Sequence, residues 1–403
     1  METACTLEKI KEARENFPKW IVHTRLLPSS ATEGTTDFFM KTENLQTTGS
    51  FKVRGAYNRM RLLTQEERKM GVIASSAGNH AQGVALAARE MRIRATIVMP
   101  KFAPLSKVNA TRALGAEVVL HGEIYDDTYL FAKGIEEDTG AVFIHPYDDP
   151  AVIAGQGTVA LEILEDMPDT EVILVPVGGG GLAAGVALAA KAVSSRIRIY
   201  GVEPVGAATM KAAFRENGPV SLDAVNSFAD GVAVRKVGSV SYGICRKYLD
   251  GIVTVEDDQT AAAVLWMIEN HKMVTEGAGA LTVAAAMAGG GEWHGKKTAA
   301  VVSGGNIDAR MISRIIERGL IQTGRMATFR TTVEDKPGKL ARLAQAIAGC
   351  NINILSINHD RNRSQVELGE AQVELVLEAN DRQHIMETRK VLEKMGYRIE
   401  EMD

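Results

Sequence analysis

From residue 71 to residue 302, short apolar runs rich in Val, Ile and Ala recur without strict alternation, separated by longer Ala/Leu-rich stretches. The runs at 71–74, 95–99, 117–120, 142–145, 172–177, 197–202, 252–255 and 298–302 read as strands, and an earlier one is expected at 38–40 after an N-terminal helix and an extended stretch through Pro28. Unbroken apolar runs suit parallel strands covered on both faces. Between them, segments 80–90, 107–114, 125–139, 157–165 and 182–192 have helical length and composition. Strand and helix alternate, which predicts a doubly wound α/β architecture. In such a fold, ligands gather beyond the carboxyl ends of the strands. Three loops rich in Gly, Ser and Asn fall there, at 75–80, 178–181 and 303–306.

The pattern changes after a helix at 311–318, expected to end at Gly319, and a polar segment carrying Gly324. Strands are then expected at 326–333, 351–358, 371–377 and 397–401, with helices at 340–348 and 382–394. The order βαββαβ predicts a ferredoxin-like module.

Composition narrows the field. The 403 residues are 45% apolar and 24% charged, as in soluble globular proteins, and only 5% aromatic. A net charge of -4 leaves no basic footprint for nucleic acid. Cys5, Cys245 and Cys350 lie far apart with no CxxC pair, which argues against a disulfide framework or a cysteine zinc site and for a reducing cytoplasm. The first 17 residues carry Glu8, Glu12 and Glu15 and no apolar core of a signal peptide, and the apolar stretch 182–193 is short and holds Lys191. No membrane span is expected.

Candidate chemistry begins at Ser50-Phe51-Lys52-Val53-Arg54-Gly55. A lone lysine is most often a solvated surface charge. Here the apolar neighbours Phe51 and Val53 would desolvate the amine and lower its pKa, as an imine-forming lysine requires. The run Gly178-Gly179-Gly180-Gly181-Leu182 closes a strand and opens a helix, so its bare N–H groups can hold a phosphate. The same run also fits G-x-G-x-x-A through Gly179, Gly181 and Ala184, with Glu203 placed as a ribose-binding acid. Both readings stay open on this motif. Residues 75–80 could be a simple helix cap, or could clamp a carboxylate and present an amide to a ring hydroxyl. Residues 303–306 could be a plain turn, or could present a hydroxyl to a heterocyclic nitrogen.

Together, the Lys52 motif, residues 75–82, the tetraglycine loop and Ser303-Gly304-Gly305-Asn306 resemble the threonine/serine dehydratase group of fold type II pyridoxal-phosphate enzymes. The similarity spans nearly all of residues 1–325. The tail resembles an ACT regulatory domain, with its turn at Asp335-Lys336-Pro337-Gly338-Lys339-Leu340. The resemblance implies a catalytic domain at 1–322, with a small subdomain at about 42–155, and an ACT domain at 323–403. It implies pyridoxal 5'-phosphate as cofactor, with Lys52 carrying it as a Schiff base, Phe51 and Glu276 beside the ring, and Asn79 at the ring hydroxyl. Gly178, Gly179, Gly180, Gly181 and Leu182 would hold the phosphate and Ser303 would meet the ring nitrogen. Ser76, Gly78 and His80, the last through its backbone, would place the substrate carboxylate. Asn351 and Asn353 are the candidate effector residues.

The activity so implied is threonine ammonia-lyase, β-elimination of L-threonine to 2-oxobutanoate and ammonia, with side activity on L-serine. Isoleucine or valine is the expected effector, a homotetramer the expected assembly, and no nucleic acid, membrane or metal is expected as partner. Ala77 stands where related serine racemases carry a serine acting as a second base, which argues against racemisation. Relatives that bind a cation use a glutamate matching Glu203 and an aspartate that aligns with Thr209. Competing classes are an L-serine ammonia-lyase, a nicotinamide-dependent oxidoreductase and a non-catalytic amino-acid sensor.

Overall fold

The computed structural model describes residues 5–32, 34, 37–362 and 366–402. The chain forms two compact units, Met1–Ala309 and Arg310–Asp403.

The first unit holds two sheets. The larger has the order Leu26–Ser29, Phe38–Thr42, Thr298–Val302, Val172–Pro176, Arg198–Pro204 and Gly251–Val255, all parallel except the first pair. The smaller has the order Glu117–Leu120, Ala95–Met99, Val72–Ser75 and Val142–Phe143, all parallel. Every strand expected in this part of the chain is present. The one expected to reach residue 145 is shorter, because the chain leaves the sheet for the loop that carries Pro146, a residue with no N–H for a ladder. The central strands Val172–Pro176 and Thr298–Val302 are buried at every position, which explains their lack of alternation.

One helix links the two sheets. Pro150–Asp166 begins where Asp149 accepts from the N–H groups of Ala151 and Val152, with proline in the first turn. It packs on helix Lys52–Arg61 at Gly155, where a Cβ would lie 2.5 Å from the Arg54 carbonyl oxygen. It packs on helix Gly181–Val193 at Gly157, where a Cβ would lie 2.8 Å from the Gly185 carbonyl oxygen. Both crossings are backbone-to-backbone and admit no side chain. The helix that starts with Lys52 and the helix that follows the glycine run are therefore held at fixed separations from one rod.

Helix Gly277–Met287 lies outside the sequence pattern, because it is buried on all sides from Gly277 to Ala286 and has no polar face to give a period. Helices Ser239–Tyr248 and Asp257–His271 were likewise not expected.

The second unit is an antiparallel sheet ordered Asn353–Asp360, Glu370–Glu378, Met326–Glu334 and Glu400–Met402, with helices Lys339–Gly349 and Arg382–Lys394. This is the βαββαβ arrangement, with Phe329, Leu343, Ile347, Leu375, Ile385 and Leu392 in its core. The helix expected to stop at Gly319 runs on to Gln322. Gly319 is buried within it, and Gly324, at φ +69°, supplies the left-handed residue after the helix. No helix among the described residues is long and apolar enough to cross a membrane.

Replacing Gly185 with alanine should force the two helices apart, since its Cβ would lie 2.6 Å from the Gly157 nitrogen. The expected cost is about 1–3 kcal/mol, read as a lower urea midpoint. An unchanged midpoint would show that the crossing does not depend on the missing side chain.

Candidate active site

Lys52 opens its helix, so its amine lies at the positive end of the helix dipole. Nζ donates to the Pro146 carbonyl at 2.9 Å and lies 5.2 Å from the centre of the Phe51 ring. Burial lowers its pKa from 10.5 to about 8, against the opposing pull of the Glu276 carboxylate. The motif is fastened to the 303–306 loop. Phe51 N donates to the Ser303 carbonyl at 3.1 Å, and Ser50 pairs with Gly304 in a β-bridge.

Two residues further on, Arg54 is completely buried. Its guanidinium makes paired bonds with Glu43 (2.8 and 2.8 Å) and with Glu162 (2.6 and 2.8 Å). Burial works against the charge, but the two carboxylates outweigh it and raise the pKa. Lys41, also fully buried, lies 2.8 Å from Glu162 and donates to the Thr24 carbonyl. This cluster joins the Lys52 helix to the large sheet and to the linking helix.

The loop after Val142–Phe143 bridges the amine and the glycine run. Pro146 holds Lys52. The next residue, Tyr147, lays its ring against Gly179, where a Cβ would collide with it. Gly181 packs as tightly, its Cβ position lying 2.5 Å from the Tyr147 carbonyl oxygen. Gly178 is closed in by Val232, and Gly180 takes φ +97° beside Met210. Protein packing thus leaves no room for a Cβ at any of the four glycines. Helix Gly181–Val193 follows, and the N–H groups of its first turn have no acceptor within it.

Asn79 opens helix Asn79–Met91. Its Nδ2 donates to Glu276 Oε1 at 2.6 Å, and its Oδ1 accepts from Asn306 Nδ2 at 2.8 Å. Burial pushes the Glu276 carboxyl up to about 7, partly offset by the Asn79 bond. Ser303 is buried and its Oγ reaches the Ala278 carbonyl at 3.3 Å, a long bond that a better acceptor would displace.

Ser76 Oγ accepts from Gly78 N at 3.1 Å, and the site of a Cβ on Gly78 faces open space. The His80 side chain is buried, with Nε2 on the Ile144 carbonyl at 2.8 Å and Nδ1 without a partner among the described residues. Its ring is therefore part of the wall, and its backbone N–H lies in the first turn of the helix. Of the effector candidates, Asn353 Nδ2 is bonded to Glu378 at 3.0 Å, while Asn351 takes φ +59° just after helix Lys339–Gly349. Both belong to the second unit.

The dinucleotide reading fails on Glu203. This residue is fully buried, and its two oxygens accept from Met210 N at 2.7 Å and Lys211 N at 2.9 Å, capping helix Thr209–Arg215. No oxygen is left exposed for a ribose. Tyr147, which sequence reasoning passed over, packs on Gly179 and Gly181, and Asn306, quoted within its motif but given no role, donates to the Asn79 amide. Tyr147 lies in a fourth loop at the carboxyl end of a strand, and that placement is the signal that could have found it.

An amine, the N–H groups of a helix start, a hydroxyl and an amide are thus linked by direct contacts through Pro146, Tyr147, Phe51 and Asn306. This donor set fits a phosphorylated pyridine aldehyde, and a family match agrees. Residues 19–304 match the pyridoxal-phosphate dependent enzyme family, and the chain belongs to it. The chain is 48% identical to the L-threonine ammonia-lyase of Thermotoga maritima over 396 residues, 98% of each chain. Among solved structures, the processed form of threonine deaminase isoform 2 from Solanum lycopersicum superposes with a TM-score of 0.74 at 38% identity, over 78% of this chain and 87% of that one. Maize serine racemase also superposes with a TM-score of 0.74, at 34% identity, over 79% of this chain and 99% of that one.

The lowered pKa predicts the reactivity of the cofactor-free protein. An amine is nucleophilic only when deprotonated, so Lys52 should gain acylation reactivity around pH 8 while ordinary lysines remain protonated to about 10.4. Peptide mapping after brief acylation at a series of pH values measures this. A Lys52 midpoint near that of the surface lysines would contradict the desolvated site.

Proposed function

We propose that this chain is an L-threonine ammonia-lyase that converts L-threonine to 2-oxobutanoate and ammonia and acts more slowly on L-serine. The observation that carries the reading is the run from Lys52 Nζ through Pro146 to Tyr147 on Gly179, which joins an amine of lowered pKa to the glycine run that would hold a phosphate. The full-length relative from Thermotoga maritima supports the choice of substrate.

Gly178 to Gly181 and Leu182 would hold the phosphate of pyridoxal 5'-phosphate, Ser303 would face its ring nitrogen and Asn79 its ring hydroxyl. When bound, the cofactor supplies a sink for the electron pair left at Cα. The residues of the chain do the rest. The first turn of helix Asn79–Met91, with Ser76 and Gly78, offers N–H and hydroxyl donors to the substrate carboxylate at a favourable dipole. Lys52 Nζ takes the Cα proton and returns it to the departing β-oxygen, so Cα–H and Cβ–O break while C=C and O–H form. Glu276 and Asn306 fix both ends of the Asn79 amide. Ala77 provides no second base on the opposite face, which favours elimination over racemisation.

The unit Arg310–Asp403 serves in this reading as an ACT regulatory domain that binds a small amino acid such as isoleucine or valine, with Asn351 and Asn353 as contact residues. The working enzyme is a cytoplasmic homotetramer.

Enzyme reconstituted with the cofactor should release ammonia and 2-oxobutanoate from L-threonine. One methyl group separates the substrates by only about 1–3 kcal/mol, so L-serine should yield pyruvate at a measurable rate. Lys52→Ala should abolish both reactions while the protein stays folded. Undiminished ammonia release by that variant would refute the assignment.

A further inference from the structure

At the far end of the large sheet lies a cavity of about 450 Å3 that the roles above leave unused. Its wall carries Asp169, which precedes strand Val172–Pro176, and Lys297, which precedes strand Thr298–Val302. The glycine run and the 303–306 loop follow the carboxyl ends of those same strands. The cavity therefore sits at the amino ends and shares no residue with the candidate active site.

The wall carries both signs of charge. Arg25 and Lys297 stand with Asp166 and Asp169, and His23 joins them. Lys297 Nζ lies 2.7 Å from Asp169, and His23 Nε2 lies 3.0 Å from each oxygen of Asp166. Arg25 is exposed, and its guanidinium has no ion pair among the described residues. Asp166 ends helix Pro150–Asp166, whose last carbonyls form the negative end of the helix dipole and favour a cation. Leu26, Leu27, Phe39 and Pro168 add apolar surface. A carboxylate at Arg25, an ammonium at the helix end and a hydrocarbon chain on the apolar wall describe one class of ligand, an aliphatic α-amino acid. The volume lies in the range of small-molecule sites.

A run of charged side chains leads from this cavity to the Lys52 helix. Asp166 lies 3.6 Å from Lys41 Nζ, Lys41 lies 2.8 Å from Glu162, and Glu162 holds Arg54 at 2.6 and 2.8 Å. Lys41 and Arg54 are fully buried, so salt screens these contacts little. Arg54 shares the first turn of its helix with Lys52. We propose that the cavity is a regulatory site for an aliphatic α-amino acid, whose ammonium competes with Lys41 for Asp166. The inference goes beyond the ammonia-lyase reading and requires only a reactive Lys52. With Asp166 engaged by the ligand, Lys41 leans on Glu162 alone, and Glu162 holds Arg54 less firmly. The start of the Lys52 helix loosens and water reaches the amine. Burial is what lowers the pKa of that amine, so occupancy raises it and leaves less free amine at pH 8.

Calorimetric titration of the full-length protein with L-leucine and L-isoleucine tests the site. Cofactor-free protein is used, because there the amino acid cannot react at Lys52. Arg25→Ala changes an exposed side chain and should weaken one binding event about tenfold or more, whereas Asn351→Ala with Asn353→Ala, in the second unit, should leave that event in place. Isocaproate and isoamylamine, which each keep one of the two charges of leucine, should compete poorly for it. The second readout is coupling. At pH 8, saturating L-leucine should slow acylation of Lys52 at least about fivefold, and Lys41→Met, which removes the middle of the run, should keep the binding and lose the slowing. An isotherm unchanged by Arg25→Ala would overturn the proposal, as would ligand binding that leaves Lys52 acylation unchanged or faster. Neither readout involves turnover, so a protein that released no ammonia from threonine would lose the ammonia-lyase reading and keep this site.

Discussion

Arg54 is the tie on which the geometry of the site depends. Its guanidinium has no access to water and is shared between two carboxylates from different parts of the fold, Glu43 after the second strand and Glu162 on the linking helix. Stripping two carboxylates and two cations of water is expensive, and such clusters add little net stability over an apolar replacement. Their value here is positional. Removing one partner would strand a buried charge at a cost of about 3–5 kcal/mol, so alternative packings of the Lys52 helix are closed off. One residue of helix, Val53, separates this clamp from the reactive amine.

The glycine crossings complete the frame. Gly155 and Gly157, on one helix, let two other helices approach to main-chain contact, one carrying Lys52 and the other following the glycine run. Pro146 and Tyr147 then join the amine to the glycine run. Within that frame the ionisable groups are held close to neutrality rather than strongly charged. The Lys52 amine falls to about 8, the Glu276 carboxyl rises to about 7, and His80 and His145 drop to about 3 and about 4. Burial is the leading cause in each case. An amine near its pKa can take a proton and give it back, which a fully charged surface lysine cannot do.

Much of this was legible in the residues. Uninterrupted apolar runs such as 172–177 and 298–302 announce strands buried on both faces, and the loops after them carry the candidate chemistry. What escaped has physical reasons. Gly277–Met287 gives no helical period because it has no exposed face. Gly319 looks like a terminator but is a buried glycine inside a helix whose end is set by Gly324. The glycine run matched a dinucleotide pattern on spacing alone, and only the burial of Glu203 against a helix start removes that reading. The motif did not show that the space left by the missing side chains is filled by Tyr147, Val232 and Met210. His145 and Tyr147 were invisible because nothing in their spacing to Lys52, some ninety residues earlier, marks them as its neighbours (Lys52 to Pro146 spans 94 positions).

The most direct test of the whole account is to treat the cofactor-loaded protein with borohydride and map the peptide that retains the pyridoxyl group. The account predicts a single modified peptide, with the mass added at Lys52. A label on any other lysine, or a cofactor washed away unlinked after reduction, would contradict it.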